Sequence, residues 1–308
     1  MRRLLPVVPF LLSLLLGSLA PRAALADALL CPSLTEGRHA PAFSTYKENY
    51  FITGFTKESQ VKFQISIKAV LFPQSLGCAL FFGYTQKSLW DVYTGGSPFE
   101  GSDYNPEAFF SFANKDLILD PANPTLAGWS ILSLDVGLIE HESNGQADGD
   151  SRGWNRSYLR ARFGYIGESA FVLLTPKVWV PYAVDRADNP YIERYLGYFQ
   201  LGAELGLEHS LRVFGYPTWR ARYVLGVLAR KGWDRDLSIG SLETWLRMRL
   251  GPKGSAPYRL GAALYAQLVT GYGETLAHYD QFETSFRIGV SLGDLVANTL
   301  AAEALLGQ

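Results

Sequence analysis

From Gln60 to Phe72 the chain alternates with a period of two. Val61, Phe63, Ile65, Ile67, Ala69 and Leu71 fall on one parity, and Lys62, Gln64, Ser66, Lys68 and Val70 on the other. Successive side chains of an extended strand point to opposite faces, so the pattern predicts a strand apolar on one side and polar on the other. A soluble antiparallel sheet alternates in the same way, but its strands typically run ~5–6 residues. The length of this segment favours a transmembrane barrel, with an apolar exterior against lipid and a polar lumen.

The pattern recurs from Leu80 to Trp90, where Leu80, Phe82, Tyr84 and Trp90 share a face with Gln86 and Ser88. From Asn155 to Tyr165, Leu159, Phe163 and Tyr165 lie on one face and Arg156, Tyr158, Arg160 and Arg162 on the other. Three arginines on one face need counter-charges, which a polar barrel interior supplies; Glu193, Glu204 and Glu208 are the expected partners. Leu211 to Val227, Leu242 to Leu250, Tyr258 to Tyr272 and Thr284 to Leu292 are also strand-like and are divided by Gly, Pro and Asp.

The N-terminus reads as an export signal: Arg2 and Arg3 precede an apolar stretch from Leu4 to Leu16, and Ala24-Leu25-Ala26 has a cleavage-like small-residue pattern. A mature chain from Asp27 keeps 282 of the 308 residues, enough for about twelve strands of ~10 residues with their connections. The expected organisation is a signal peptide over 1–26, a periplasmic segment over 27–45, an all-β antiparallel up-and-down barrel over 46–295, and a tail over 296–308 rich in Ala and Leu. Beyond residue 26 no apolar run is long enough to cross a bilayer as a helix.

Hydrophobic residues make up 48% of the chain, aromatics 14%, and there are 30 glycines, which suits a barrel without requiring one. The net charge of −1 gives no support to a nucleic-acid partner. Cys31 follows the bulky Leu30, which argues against lipid attachment, and pairing of Cys31 with Cys78 stays open.

The most informative stretch is GLIEHESNGQADGDSRGWNRSY, from Gly137 to Tyr158: a strand, a Gly/Asp/Ser loop and a returning strand. His141 and Ser143 are two apart, so on a strand both point to one face with Cα atoms about 6.6 Å apart. A hairpin brings Asn155 beside His141, where its amide oxygen can accept from the imidazole and fix the tautomer. On spacing alone, a His, a Ser and an Asn near a hairpin are more often turn formers and surface polar groups. Asn155 shares a parity with Leu159 and Phe163, which places the site on the apolar exterior. There a neutral amide avoids the several kcal/mol that an unpaired carboxylate costs near lipid. Leu132, Leu134, Val136 and Leu138 have the opposite parity to His141, and a bulge near Gly137 would reconcile the two strands. His39, His209 and His278 show no ligand spacing, and there is no G-x-S-x-G elbow.

His141-Glu142-Ser143-Asn144-Gly145 and Ser151-Arg152-Gly153-Trp154-Asn155-Arg156 resemble the HxSNG and SRxWNR signature of the outer membrane phospholipase A family. Tyr46 to Tyr50, Val61 to Gln64, Tyr84 to Ser88, Ser97 to Phe99, Asp188 to Pro190 and Gly271 to Glu274 are similar to family segments in the same order. The resemblance implies a calcium-dependent phospholipase (A1, A2 and lysophospholipase activities) in the outer membrane. In it Ser143 is nucleophile, His141 base, Asn155 orienter, and the Gly145 amide the oxyanion donor. It also implies Ca2+ on the Ser151 hydroxyl, the Gln146 carbonyl and a Gly96 carbonyl from a second subunit, with Asp148 and Asp188 in a second calcium arrangement. Where the family commonly has Arg and Ser, this chain has Gln146 and Gly96, which suffices if only main-chain oxygen is used.

The resemblance further implies a reversible homodimer acting on phospholipid and lysophospholipid. Gln86, an amide on the lipid-facing side of its strand, is the expected interface residue. A passive channel, or a structural barrel with a non-functional site, needs only the strand pattern and leaves HESNG and SRGWNR unexplained.

Overall fold

The structure, a computed structural model, describes residues 43–54, 60–72, 79–96, 98–113, 129–167, 169–213, 216–252 and 261–293. The expected export signal, Cys31, His39, Cys78 and the expected 296–308 tail lie outside the described residues.

Among the described residues thirteen strands form: β1 (Phe43–Thr45), β2 (Asn49–Gly54), β3 (Val61–Phe72), β4 (Ala79–Trp90), β5 (Phe99–Ala113), β6 (Trp129–Ser143), β7 (Gly153–Ile166), β8 (Ala170–Tyr182), β9 (Phe199–Val213), β10 (Tyr216–Lys231), β11 (Gly240–Pro252), β12 (Ala263–Tyr272) and β13 (Phe282–Leu292). A five-residue helix, α1 (Ile192–Leu196), lies between β8 and β9. Each strand from β2 onward pairs antiparallel with its sequence neighbours, and β13 pairs back onto β2, closing a twelve-stranded barrel. Closure satisfies main-chain groups that a lipid environment cannot hydrogen-bond. The expected segment Leu211 to Val227 straddles the end of β9 and most of β10, and the part of Tyr258 to Tyr272 that is described becomes strand at Ala263.

β1 is the first half of the strand that β2 continues. Both run along β3, with Thr45 opposite Ile67 and Tyr50 opposite Gln64, so the first strand carries two extra residues there. At that break Tyr46 turns into the lumen and stacks on Phe109 at 5.2 Å between ring centroids.

The two faces separate as the alternation predicts. Ile65, Ile67, Leu205, Leu225, Leu246, Leu268 and Ile288 are exposed on the outside of the closed sheet. Aromatic rings flank this apolar zone: Trp129 and Tyr165 at the end nearest the described chain ends, and Trp90, Phe99, Tyr272 and Phe282 at the other. That arrangement is the girdle of a membrane-spanning barrel.

The lumen is polar and cross-linked. Lys62 bonds Gln267 at 2.8 Å and Glu274 at 3.1 Å; Arg160 meets Asp135 at 2.8 Å; Lys177 meets Glu140 at 2.8 Å; Arg247 meets Glu48 at 2.6 Å. All of these charges but the partly buried Glu48 are buried, and each has a partner close enough to offset part of its desolvation.

The expected partners of the β7 arginines are corrected here. Arg156 pairs with Glu140 and Glu142, Arg160 with Asp135, and Arg162 donates to Ser133 at 3.4 Å. Glu193 instead pairs with Arg186, and Glu208 with Arg220 and Arg222. The reason is register: Glu140, Asp135 and Ser133 stand directly opposite Arg156, Arg160 and Arg162 across the β6–β7 ladder. Directly opposed residues are the nearest side chains on a sheet face.

Placing a cation in the outer apolar row should be costly. Leu246→Arg is expected to lose ~2–4 kcal/mol of folding stability in lipid vesicles, read from urea titration of tryptophan emission. Inside, burial raises the Glu274 carboxyl, but Lys62 and Arg287 outweigh it and hold the pKa down at about 2. A carboxylate whose pKa falls on folding contributes stability that is complete above its ordinary value of 4.5 and is lost as pH falls towards 2. Thermal stability in detergent should therefore drop across that acidic window, and the drop should be shallower in Glu274→Gln.

Candidate active site

The ladder between β6 and β7 runs in register from Trp129 until Gly137 faces Tyr158, apart from one irregularity at Leu132, and then resumes with Glu140 facing Arg156. Leu138 and Ile139 together face Ser157, whose Oγ donates to the Leu138 carbonyl at 2.8 Å. On the other side β5 skips Leu138, going from Ala108 opposite Ile139 to Phe109 opposite Gly137. This is the bulge expected near Gly137, and Gly137 permits it, since a Cβ there would lie 2.2 Å from the Tyr158 ring. The extra residue reverses the parity of the strand end. Glu140 and Glu142 now face the lumen, and His141 and Ser143 share the outward face with Asn155.

Asn155 stands directly opposite His141, and its Oδ1 lies 2.9 Å from His141 Nδ1. Asn155 Nδ2 points to the Ala183 carbonyl at 3.5 Å, which orients the amide so that its oxygen meets the ring. An oxygen acceptor requires a proton on Nδ1, leaving the Nε2 lone pair as the basic end of the imidazole. Ala183 holds φ at 48°, an uncommon conformation for a residue with a side chain.

Behind this outward pair lies a wall of inward charge. Arg156 reaches Glu140 at 3.1 Å and Glu142 at 2.8 Å and lies 4.2 Å from the Trp154 ring centroid. Trp154 donates Nε1 to Glu142 at 3.1 Å and stacks edge-on against Trp179. Each residue that flanks the outward pair is thus locked from the lumen side.

The loop from Asn144 to Arg152 is built around one buried amide. Asn144 Nδ2 donates to the Asp150 carbonyl at 2.8 Å, and its Oδ1 accepts from the main-chain N–H groups of Arg152 at 2.9 Å and Gln146 at 3.3 Å. Gly145 follows with φ 67°, and a Cβ there would lie 2.7 Å from the Tyr104 ring, so glycine is required. Asp148 to Asp150 form one 3-10 turn, with Asp148 at φ 55°. A second amide, Asn189, anchors the returning strand: its Oδ1 accepts from the Gly153 N–H at 2.9 Å, and its Nδ2 donates to Asp185.

His141, Ser143 and Asn155 therefore share one outward patch, with Gly145, Gln146, Asp148 and Ser151 on the adjoining loop. Asp188 lies in the turn before α1, near Asn189, and Gly96 at the exposed end of the β4–β5 connection with φ 90°. Gln86 is on the outer face of β4, accepting from Tyr84 at 3.1 Å and donating to Ser88 at 3.2 Å. Asn144 and Asn189 were given no separate role from sequence. Their signal was an amide, able to donate and accept at once, inside a Gly/Ser/Asp loop.

The phospholipase A1 family model matches residues 29–292. The chain belongs to the phospholipase A1 family. The Salmonella typhimurium phospholipase A1 is 32% identical over 270 residues, covering 85% of this chain and 78% of its own. The outer membrane phospholipase A of Escherichia coli superposes with a TM-score of 0.64 at 28% identity, covering 87% of this chain and 98% of its own. That protein has also been solved as an active-site mutant in which an asparagine is replaced by alanine. A Salmonella typhi outer membrane phospholipase, solved as a dimer with bound calcium, superposes with a TM-score of 0.63 at 28% identity over 84% of this chain and 95% of its own. Members of this family are ester hydrolases.

Asn144→Ala should release the loop without opening the barrel. Trypsin is expected to cut after Arg152 about tenfold faster or more, because the buried amide's partners are left unsatisfied. Unchanged cutting, by timed digestion and mass analysis, would show that the amide does not hold the loop.

Proposed function

We propose that this chain is a calcium-dependent phospholipase of the bacterial outer membrane, releasing fatty acid from phospholipids and lysophospholipids through Ser143, His141 and Asn155. The observation that carries the reading is the 2.9 Å contact of His141 Nδ1 with Asn155 Oδ1 on the apolar outer face, two residues from Ser143. A hydrolase that draws its substrate from the bilayer needs its nucleophile on that wall, beside the acyl chains.

In this reading Ser143 Oγ attacks the ester carbonyl carbon while His141 Nε2 takes the hydroxyl proton. Asn155 holds the imidazolium through Nδ1–H, and the Gly145 N–H donates to the oxyanion. Collapse of the tetrahedral intermediate breaks the ester C–O bond, and His141 returns the proton to the departing alkoxide. Water then attacks the acyl-Ser143 ester with His141 again as base, freeing the fatty acid and restoring Ser143.

The loop chemistry suits a hard cation, since Asp148, Asp150, Ser151 and main-chain carbonyls are all oxygen donors. Among the described residues no three His, Cys, Asp or Glu side chains converge. An ion here would rely on the Ser151 hydroxyl, the Gln146 carbonyl and a Gly96 carbonyl from a second copy, or on Asp148 and Asp188 in a single copy. Calcium bound there supplies positive charge beside the developing oxyanion. The reading includes a reversible homodimer with Gln86 at its interface and export through the N-terminal signal. The barrel fold and the outer membrane relatives support that location.

The test uses the full mature chain refolded in detergent. Ser143→Ala should lower calcium-dependent fatty acid release at least ~10³-fold while heat-modifiable electrophoretic migration, the mark of a folded barrel, is unchanged. A long-chain sulfonyl fluoride should label Ser143 and nothing else. Hydrolysis persisting in Ser143→Ala, or failing in wild type at saturating calcium, would overturn the proposal.

A further inference from the structure

β5 carries a proline where it passes the active site. The β5–β6 register pairs Tyr104 with Ser143 and Glu107 with Glu140, and the ladder is interrupted between them, where Pro106 falls opposite His141 and Asn105 opposite Glu142. Pro106 has no N–H to offer a neighbouring strand. The His141 carbonyl is instead met by a side chain: Asn105 Nδ2 donates to it at 2.8 Å. Asn105 is itself fixed from the lumen, where its Oδ1 accepts from Lys47 Nζ at 2.8 Å. Lys47 also pairs with Glu107 at 3.1 Å, and Glu107 accepts from Tyr158 at 2.5 Å. Lys47 belongs to the break between β1 and β2, so this chain of contacts links the first barrel strand to the main chain of the base.

We propose that Asn105 is a positioning residue for the hydrolysis, holding the His141 main chain from inside the barrel where the ladder cannot. The inference rests on His141 acting as the base. The two polar ends of Asn105 do different work: Oδ1 ties it to Lys47, and Nδ2 carries the tie to His141. Loss of the Nδ2 donor frees the His141 peptide to move and takes the imidazole out of line with Ser143 and Asn155. Small displacements of a reacting group lower the chemical step far more than they alter binding.

Two variants separate these ends. Asn105→Asp keeps the shape and an acceptor for Lys47 but cannot donate to the carbonyl; Asn105→Ala loses both contacts. Measured on the full mature chain in micelles at saturating calcium, both are expected to lower kcat about tenfold with KM nearly unchanged, and to slow sulfonyl fluoride labelling of Ser143 in parallel. Heat-modifiable migration reports that each variant is folded. Wild-type kcat and labelling rate in folded Asn105→Asp, with loss confined to Asn105→Ala, would overturn the proposal and leave Asn105 as a lumenal strut. Failure of the functional reading itself has a different signature: wild type would then resist labelling and leave the ester intact.

Discussion

Between Gly137 and Glu140 two residues of β6 face a single residue of β7, and this shift of one position sorts the chemistry of the strand. Before the bulge Ser133 and Asp135 point into the lumen, where Asp135 pairs with Arg160 and Ser133 with Arg162. After it Glu140 and Glu142 take up the inward role, and His141 and Ser143 turn towards lipid. Without the extra residue the histidine and serine would enter a lumen crowded with ion pairs, and the two glutamates would face hydrocarbon, where a charge is expensive. Backbone register, rather than any one side chain, thus decides which groups face outward.

Because the site is carried by an outer wall only one strand thick, its rigidity has to come from behind. Arg156 joins Glu140 and Glu142 beneath His141, Trp154 packs on Trp179, and Asn189 holds the start of the returning strand. Together these inward contacts fix the backbone positions from which the outward groups project. A neutral amide suits such a wall. Asn155 accepts from the imidazole without placing a charge at the lipid boundary, and the charged groups that steady its neighbours stay in the polar interior.

Much of the architecture was legible from period-two segments such as Gln60 to Phe72, because an exterior of apolar residues and a lumen of charges write opposite characters on alternate positions. Other strands were silent for physical reasons. In β8, Phe171 to Leu174 and Val178 to Val180 are apolar on both faces, and Pro176 and Pro181 interrupt the run; in β5, Pro106 does the same. The pairing of His141 with Asn155 across a hairpin was legible from their spacing on either side of the Gly/Asp/Ser loop. The partners of Arg156 and Arg160 were not, since they follow from a register that the bulge resets. The tie from Asn105 to the His141 carbonyl was hidden more deeply, because it stands where a ladder pairing with the neighbouring strand is missing.

The contacts that make the site differ greatly in how much chain they enclose. His141 and Asn155 are 14 residues apart, joined through a local hairpin, whereas Lys47 and Asn105 are 58 apart and Lys62 and Glu274 are 212 apart. Loop-closure entropy grows with the enclosed length, so the hairpin zips before the ends of the sheet meet. A partly assembled sheet would already hold the imidazole against the carboxamide, and the tie from Lys47 to Asn105 would follow once the first strands stack in order. The seam between β13 and β2 would close last, over a hairpin already formed.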